Sequence, residues 1–229
     1  LRLITHPSPN CGPRRGGATP DLLVIHYTAM QSAEAAAKTL CNPENEVSAH
    51  YLISEGGDVL SLVPEEQRAW HAGAGAWGQV TDVNSRSIGI ELANSGFAPF
   101  TAAQMDSLTE LLSDIRSRWQ IPPERVIGHS DMAPGRKIDP GVRFDWRRLA
   151  LEGHAVWPDS RDEAEISDND FGALMRRFGY TATDDPELLL KTLRLRFRPR
   201  HEGPRDATDV AIITDLARRF PVDDSAPSA

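Results

Sequence analysis

Two short apolar runs each end in a histidine: Leu22-Leu-Val-Ile-His26 and Val126-Ile-Gly-His129. Both read as buried strands, and buried strands must be covered by other layers. They also deliver two imidazoles to strand ends, where open α/β sheets gather functional groups. The rest of the chain supplies the layers. Residues 49–54 and 59–63 flank Glu55-Gly-Gly-Asp58 and read as a hairpin. Residues 87–93 alternate, with Ile88, Ile90 and Leu92 on one face and Glu91 on the other. Residues 32–40 read as a helix capped by Ser32. Thr101-Ala-Ala-Gln104 reads as a capping box opening a long helix, whose stripe is Met105, Leu108, Leu111, Leu112, Ile115 and Trp119. Ile121-Pro-Pro123 stops it, and residues 145–151 read as a shorter helix. Strands alternating with helices predict an α/β fold with a mixed β-sheet flanked by helices.

The pattern changes near residue 156. Residues 1–155 read as the main domain, with residues 1–20 an extended lead-in over its surface. Residues 156–166, around Trp157-Pro-Asp-Ser-Arg-Asp-Glu-Ala-Glu, read as a polar linker. Residues 167–222 carry helical patterns only and read as a small all-α module of three helices, near the lower size limit for independent folding. Residues 223–229 read as a disordered tail.

Composition excludes several classes. Of 229 residues, 40% are hydrophobic and 25% charged, as in ordinary soluble domains. A formal net charge of -8 argues against nucleic acid as a partner. The apolar runs are far too short for a transmembrane segment. The opening residues carry no signal segment, which favours a cytoplasmic location, with the periplasm as the alternative. Cys11 and Cys41 have no metal-ligand spacing and read as free thiols, or as one disulfide in an exported protein. A monomer is expected.

The chemistry gathers in Val126-Ile-Gly-His-Ser-Asp-Met-Ala-Pro-Gly-Arg-Lys-Ile-Asp-Pro-Gly141. Asp139 is either a turn residue before Pro140-Gly141 or a third ligand beside His26 and His129. As a set, two histidines and an aspartate suit one zinc ion with a coordination position left open. Lys137, two residues earlier, falls on the same side of an extended segment and can stabilise an oxyanion; otherwise it is a solvated lysine. Glu91 is either a general base or half of an ion pair with Arg86 or Arg68. His71, Asn84, Arg86 and Trp70 are candidate substrate contacts, with Trp70 equally suited to packing. His50, within a strand, reads as structural.

Five segments, in order, carry a family resemblance: Ile25-His-Tyr-Thr28, Trp70-His-Ala-Gly73, Asn84-Ser-Arg-Ser-Ile-Gly-Ile-Glu91, Gly128-His-Ser-Asp131 and Lys137-Ile-Asp-Pro-Gly141. They resemble zinc-dependent N-acetylmuramoyl-L-alanine amidases of the AmpD/AmiD type, a fold shared with phage amidases and peptidoglycan recognition proteins. The resemblance covers roughly residues 5–150. It implies that His26, His129 and Asp139 bind zinc, that Glu91 is the catalytic acid/base and that Lys137 is the oxyanion partner. Phage members carry a tyrosine where this chain has Ala49 and a cysteine ligand where it has Asp139, so the AmpD/AmiD branch fits better. Residues 167–222 resemble, more weakly, the peptidoglycan-binding module of AmiD-like enzymes, through Arg176-Arg-Phe-Gly-Tyr180 and Thr192-Leu-Arg-Leu-Arg-Phe-Arg-Pro199. A helical extension that merely stabilises the catalytic domain is the alternative. The implied reaction is hydrolysis of the amide between N-acetylmuramic acid, or its anhydro form, and L-alanine of peptidoglycan stem peptides. Peptidoglycan or a muropeptide is then the partner, in wall recycling or turnover. The rival readings are a recognition protein that binds without cutting, and a stem-peptide peptidase, for which the chain lacks an HExxH helix.

Overall fold

The computed structural model describes residues 1–159 and 167–222. The expected tail at 223–229 and residues 160–166 of the expected linker lie outside the described residues. In chain order the elements are β1 (Leu3–Thr5), β2 (Cys11–Pro13), β3 (Leu22–Tyr27), α1 (Ala33–Leu40), β4 (Tyr51–Ile53), β5 (Val59–Ser61), β6 (Gln67–Ala69), α2 (Val83–Arg86), β7 (Ser87–Leu92) and α3 (Ala102–Trp119). They continue with β8 (Val126–Gly128), α4 (His129–Met132), α5 (Trp146–Leu151), α6 (Asp168–Phe178), α7 (Pro186–Phe197) and α8 (Ala207–Arg219).

Six strands form one mixed sheet in the order β1-β5-β4-β7-β3-β8. The β4–β5 hairpin is antiparallel, and β4–β7, β7–β3, β3–β8 and β1–β5 are parallel. Alternation along each strand divides the buried residues between two faces. Leu23, Ile25, Ile88, Ile90, Leu92 and Val126 pack against the α3 stripe and against Trp146 and Leu149 of α5. On the other face, Leu22, Val24 and Ile127 share one continuous core with Trp77 and with Phe171, Met175, Phe178, Leu193, Ile213 and Leu216 of α6–α8. The C-terminal helices thus close the face of the sheet whose upper part carries His26.

Two local expectations change. The lead-in is not merely laid over the surface: β1 extends the main sheet, and β2 pairs with β6 in a separate two-stranded ribbon. Arg14 pins it, donating from a buried guanidinium to the carbonyls of Glu65, Ser85 and Ser87. Strands of three residues are too short to display period-two alternation, so only their tertiary pairing defines them. The capping box at α3 is half formed. Thr101 Oγ accepts from the Gln104 N–H at 3.1 Å, but the Gln104 amide donates instead to the carbonyls of Ile53 and Ala93. This buried amide thereby ties the end of β4 to the backbone just after β7. Cys11 and Cys41 are both free and partly buried.

Candidate metal centre

His26 lies near the end of β3, and His129 opens α4 directly after the neighbouring strand β8. The register Ile25↔Gly128 places the two imidazoles at adjacent positions on one face. Glu91 on β7 is paired with His26 and emerges on that same face. Asp139 comes back from the loop after α4, held by the Ser130 N–H donating to its carbonyl at 2.9 Å. Lys137, Ile138 and Asp139 all line the site, with Ile138 63% exposed. Together with Tyr27, Met30, Val47, Trp70, His71 and Arg136 these residues surround a cavity of about 530 Å³.

Three atoms converge: His26 Nδ1 and His129 Nδ1 are 2.9 Å apart, and each is 3.0 Å from Asp139 Oδ2. Hydrogen bonds behind them decide where the ring protons are. The Ala72 carbonyl can only accept, so His129 Nε2 carries the hydrogen and donates to it at 2.8 Å. His129 Nδ1 is left as a lone pair. On the other side, Ser87 Oγ donates its single hydrogen to the Val83 carbonyl at 2.6 Å and therefore accepts from His71 Nε2 at 3.1 Å. His71 Nδ1 then accepts from His26 Nε2 at 3.0 Å, and His26 Nδ1 is also a lone pair. With both rings neutral, two imidazole lone pairs and a carboxylate oxygen face one another and repel unless a cation is shared. Two His nitrogens and one carboxylate oxygen with cavity on the remaining side form the donor set of a catalytic zinc site, each histidine held in the required tautomer by a partner behind it. Ligand atoms on one zinc stand roughly 3.3 Å apart, close to the observed spacing.

His201, Asp206 and Asp209 form a second group with metal-compatible spacing. Their carboxylates are already taken by Arg194 and Arg198, at 2.5–2.8 Å, which makes the group an ion-pair network.

Glu91 has no ion pair with Arg86 or Arg68. Arg86 is paired with Asp21, and Arg68 with Asp82 at 3.1 Å. One Glu91 oxygen is buried without a hydrogen-bond partner among the described residues. Burial, and next the charge of Asp139, push its pKa up to about 8 against the opposing influence of Lys137. A carboxyl group so placed is poised to exchange a proton, and a nearby divalent cation would bring its pKa back down.

The remaining candidates separate. Trp70 and His71 line the cavity, but both His71 ring nitrogens are bonded to protein, so His71 orients His26. Asn84 and Arg86 do not line it: the Asn84 side chain accepts from the N–H groups of His71 and Ala72, at 3.0 and 2.9 Å. Both lie on α2, before β7, with roughly 13 Å of strand between Ser87 and Glu91. His50 is buried and bonded at both nitrogens, accepting from Gly89 N–H and donating to the Gln67 carbonyl. Ser87, the Ala72 carbonyl and Arg136 went unnoticed in the sequence. A backbone carbonyl leaves no trace there, and Arg136, which donates to the carbonyls of Ala72 and Ala74, looks like any surface arginine.

Comparison with known proteins identifies the family. The pattern of the Amidase_2 family, described as N-acetylmuramoyl-L-alanine amidase, matches residues 16–142. The N-acetylmuramoyl-L-alanine amidase AmiD of Escherichia coli K12 is 35% identical over 87% of this chain and 83% of its own length. Its solved complex with the substrate anhydro-N-acetylmuramic acid-L-Ala-D-gamma-Glu-L-Lys superimposes with a TM-score of 0.81, covering 91% of each chain. The 1,6-anhydro-N-acetylmuramyl-L-alanine amidase AmpD of Enterobacter cloacae is 33% identical over 69% of this chain and 91% of its own length. With the two-histidine, one-aspartate centre at the ends of β3 and β8 and a half-buried glutamate beside it, the chain belongs to the Amidase_2 family of N-acetylmuramoyl-L-alanine amidases.

Proposed function

We propose that this protein hydrolyses the amide joining N-acetylmuramic acid, or its anhydro form, to the L-alanine of a peptidoglycan stem peptide. The observation that carries the reading is the convergence of the His26 and His129 lone pairs on Asp139, with the unpartnered Glu91 oxygen in the same cavity. Its support is the family and the likeness to AmiD, which was solved with such a substrate. A zinc ion held by His26, His129 and Asp139 would supply Lewis-acid polarisation of the carbonyl and acidification of the attacking water.

The chain's own residues do the rest. Glu91 takes a proton from the water and returns it to the departing amine, for which a buried carboxyl with a raised pKa is suited. Lys137 places a cation at the developing oxyanion. Trp70 offers an aromatic wall to the sugar or peptide. Substrate enters through the mouth bounded by Met30, Val47 and Ile138. A protein that only binds muropeptides has no need of a half-buried carboxyl group with one oxygen left unpartnered, which is costly to keep.

The test is mass spectrometry of a soluble anhydro-muropeptide after incubation with the zinc-loaded protein. The reading expects free anhydro-sugar and an intact stem peptide; a shortened peptide still attached to sugar would sink it. Glu91→Ala should retain zinc and lose roughly 10²- to 10⁴-fold in kcat.

A further inference from the structure

His129 stands on α4, a single turn that cannot hold itself, and every residue of it is buried. Its fourth-position neighbours provide no helix length to fix it, so the turn depends on what caps it. Asp131 Oδ2 accepts from the Gly128 N–H at 2.8 Å, closing the turn immediately before the metal ligand. The Asp131 carboxylate is 1% exposed. Its partners come from far along the chain: Arg196 Nη1 on α7 donates to Oδ2 at 2.7 Å, and the Tyr180 hydroxyl, between α6 and α7, donates to Oδ1 at 2.9 Å. Arg196 is itself fixed, donating to the Val126 carbonyl on β8 and lying 4.0 Å over the Trp146 ring. Among the described residues no other cation pairs with Asp131. The next residue of the turn, Met132, belongs to the core that includes α6–α8.

We propose that Arg196 and Tyr180 are positioning residues for the metal ligand His129, so that the C-terminal helices, acting through Asp131, set the metal affinity of the centre. This rests on the reading of His129 as a ligand. The physical reason is that a buried carboxylate stripped of its cation is costly to keep, and the same Asp131 oxygen that pairs with Arg196 closes the turn that aims His129. The arrangement gives the helices a role inside the catalytic centre, separate from any attachment to the wall.

The experiment measures zinc affinity of the full-length chain by competition with a chromophoric chelator, alongside urea unfolding of the metal-free protein. Arg196→Met should bind zinc about 10- to 100-fold more weakly, the range found when groups supporting a ligand are removed. Tyr180→Phe should weaken it several-fold. The double variant Asp131→Asn with Arg196→Met should recover most of the loss, because an asparagine oxygen still caps Gly128 and needs no counter-charge. Leu193→Ala, a cavity in the same helical core, should destabilise the fold yet leave the folded protein's zinc affinity at the parental value. Parental affinity in a cooperatively folding Arg196→Met protein overturns the proposal. Should Arg196→Met not fold, parental affinity in Tyr180→Phe overturns it instead. A parent that binds zinc without cleaving muropeptides would break the proposed function and leave this inference standing.

Discussion

His26 and His129 occupy neighbouring strand ends and face the same carboxylate oxygen, yet they are held in different ways. His26 sits on a six-residue strand paired on both sides, with a hydrogen-bonded relay through His71 and Ser87 to the Val83 carbonyl. Apart from the pairing with β8, that support lies within residues 22–92. His129 follows a three-residue strand and stands on one helical turn. Its support comes from the Ala72 carbonyl and, through Asp131, from Arg196 and Tyr180. One ligand is fixed by sheet register, the other by tertiary closure. A centre built this way forms only when both halves of the chain have folded.

The comparison first makes a prediction of equality. His26→Ala and His129→Ala should each abolish stoichiometric zinc binding and reduce turnover to background, since two remaining ligands do not make a closed set. Zinc retained in one of them, by atomic absorption after dialysis, would mean that the sides are not equivalent.

The next largest effect isolates the His26 side. His71→Phe keeps the ring volume over Gly89 but breaks the relay, and should cost about 10- to 100-fold in zinc affinity with no change in the Asp131 contacts. Gly89 is glycine because an added Cβ would meet the His71 ring, so Gly89→Ala should reproduce the defect. Unaltered affinity in both variants would show that strand register alone fixes His26.

Acid unfolding sharpens the contrast further. In the metal-free protein, burial, and next the charge of Arg14, lower the His50 pKa to about 3; burial, and next the charge of His129, lower that of His26 to about 4. Both histidines titrate near 6.5 when unfolded. Between these values the two rings bind more protons in the unfolded chain, outweighing the one proton that folded Glu91 retains in the opposite sense, so their contribution is fully present above about 6.5 and is lost as the pH falls towards 3–4. Urea midpoints of the metal-free protein should decline through that window, and His50→Gln should flatten the decline. A midpoint that stays level from pH 7 to pH 4 would refute the assignment of these two rings as buried neutral groups.

The smallest effect is expected at Arg86. Its ion pair with Asp21 is partly exposed and lies before β7, away from both supports. Arg86→Ala should change stability by no more than about 1 kcal/mol and leave kcat/KM on soluble muropeptide unchanged. A clear rise in KM would return Arg86 to the substrate contacts suggested by its motif.

Much of the centre was legible without coordinates. His26 and His129 each close an apolar run, Glu91 is the polar exception on its strand, and Asp139 stands two residues from Lys137; these are local patterns, and the structure brings all five side chains to one cavity. Asn84 and Arg86 share a motif with Glu91, but nearness along a strand is not nearness in space, and they fall at its other end. Pattern also could not show that His71 turns inward to His26, since a ring lying over Gly89 depends on the approach of a separate loop.

The sequence by itself determined the longer elements, because apolar periodicity, caps and turn residues act over a few neighbours; the short strands β1, β2 and β6 needed their tertiary partners to define them. It also determined the ligand types, because zinc chemistry restricts them. Only the tertiary structure decided which nitrogen of each histidine faces the metal and which distant residue steadies the turn beneath His129. Those choices are made by single hydrogen bonds between segments up to 65 residues apart, where nothing in the local pattern of either segment specifies the other.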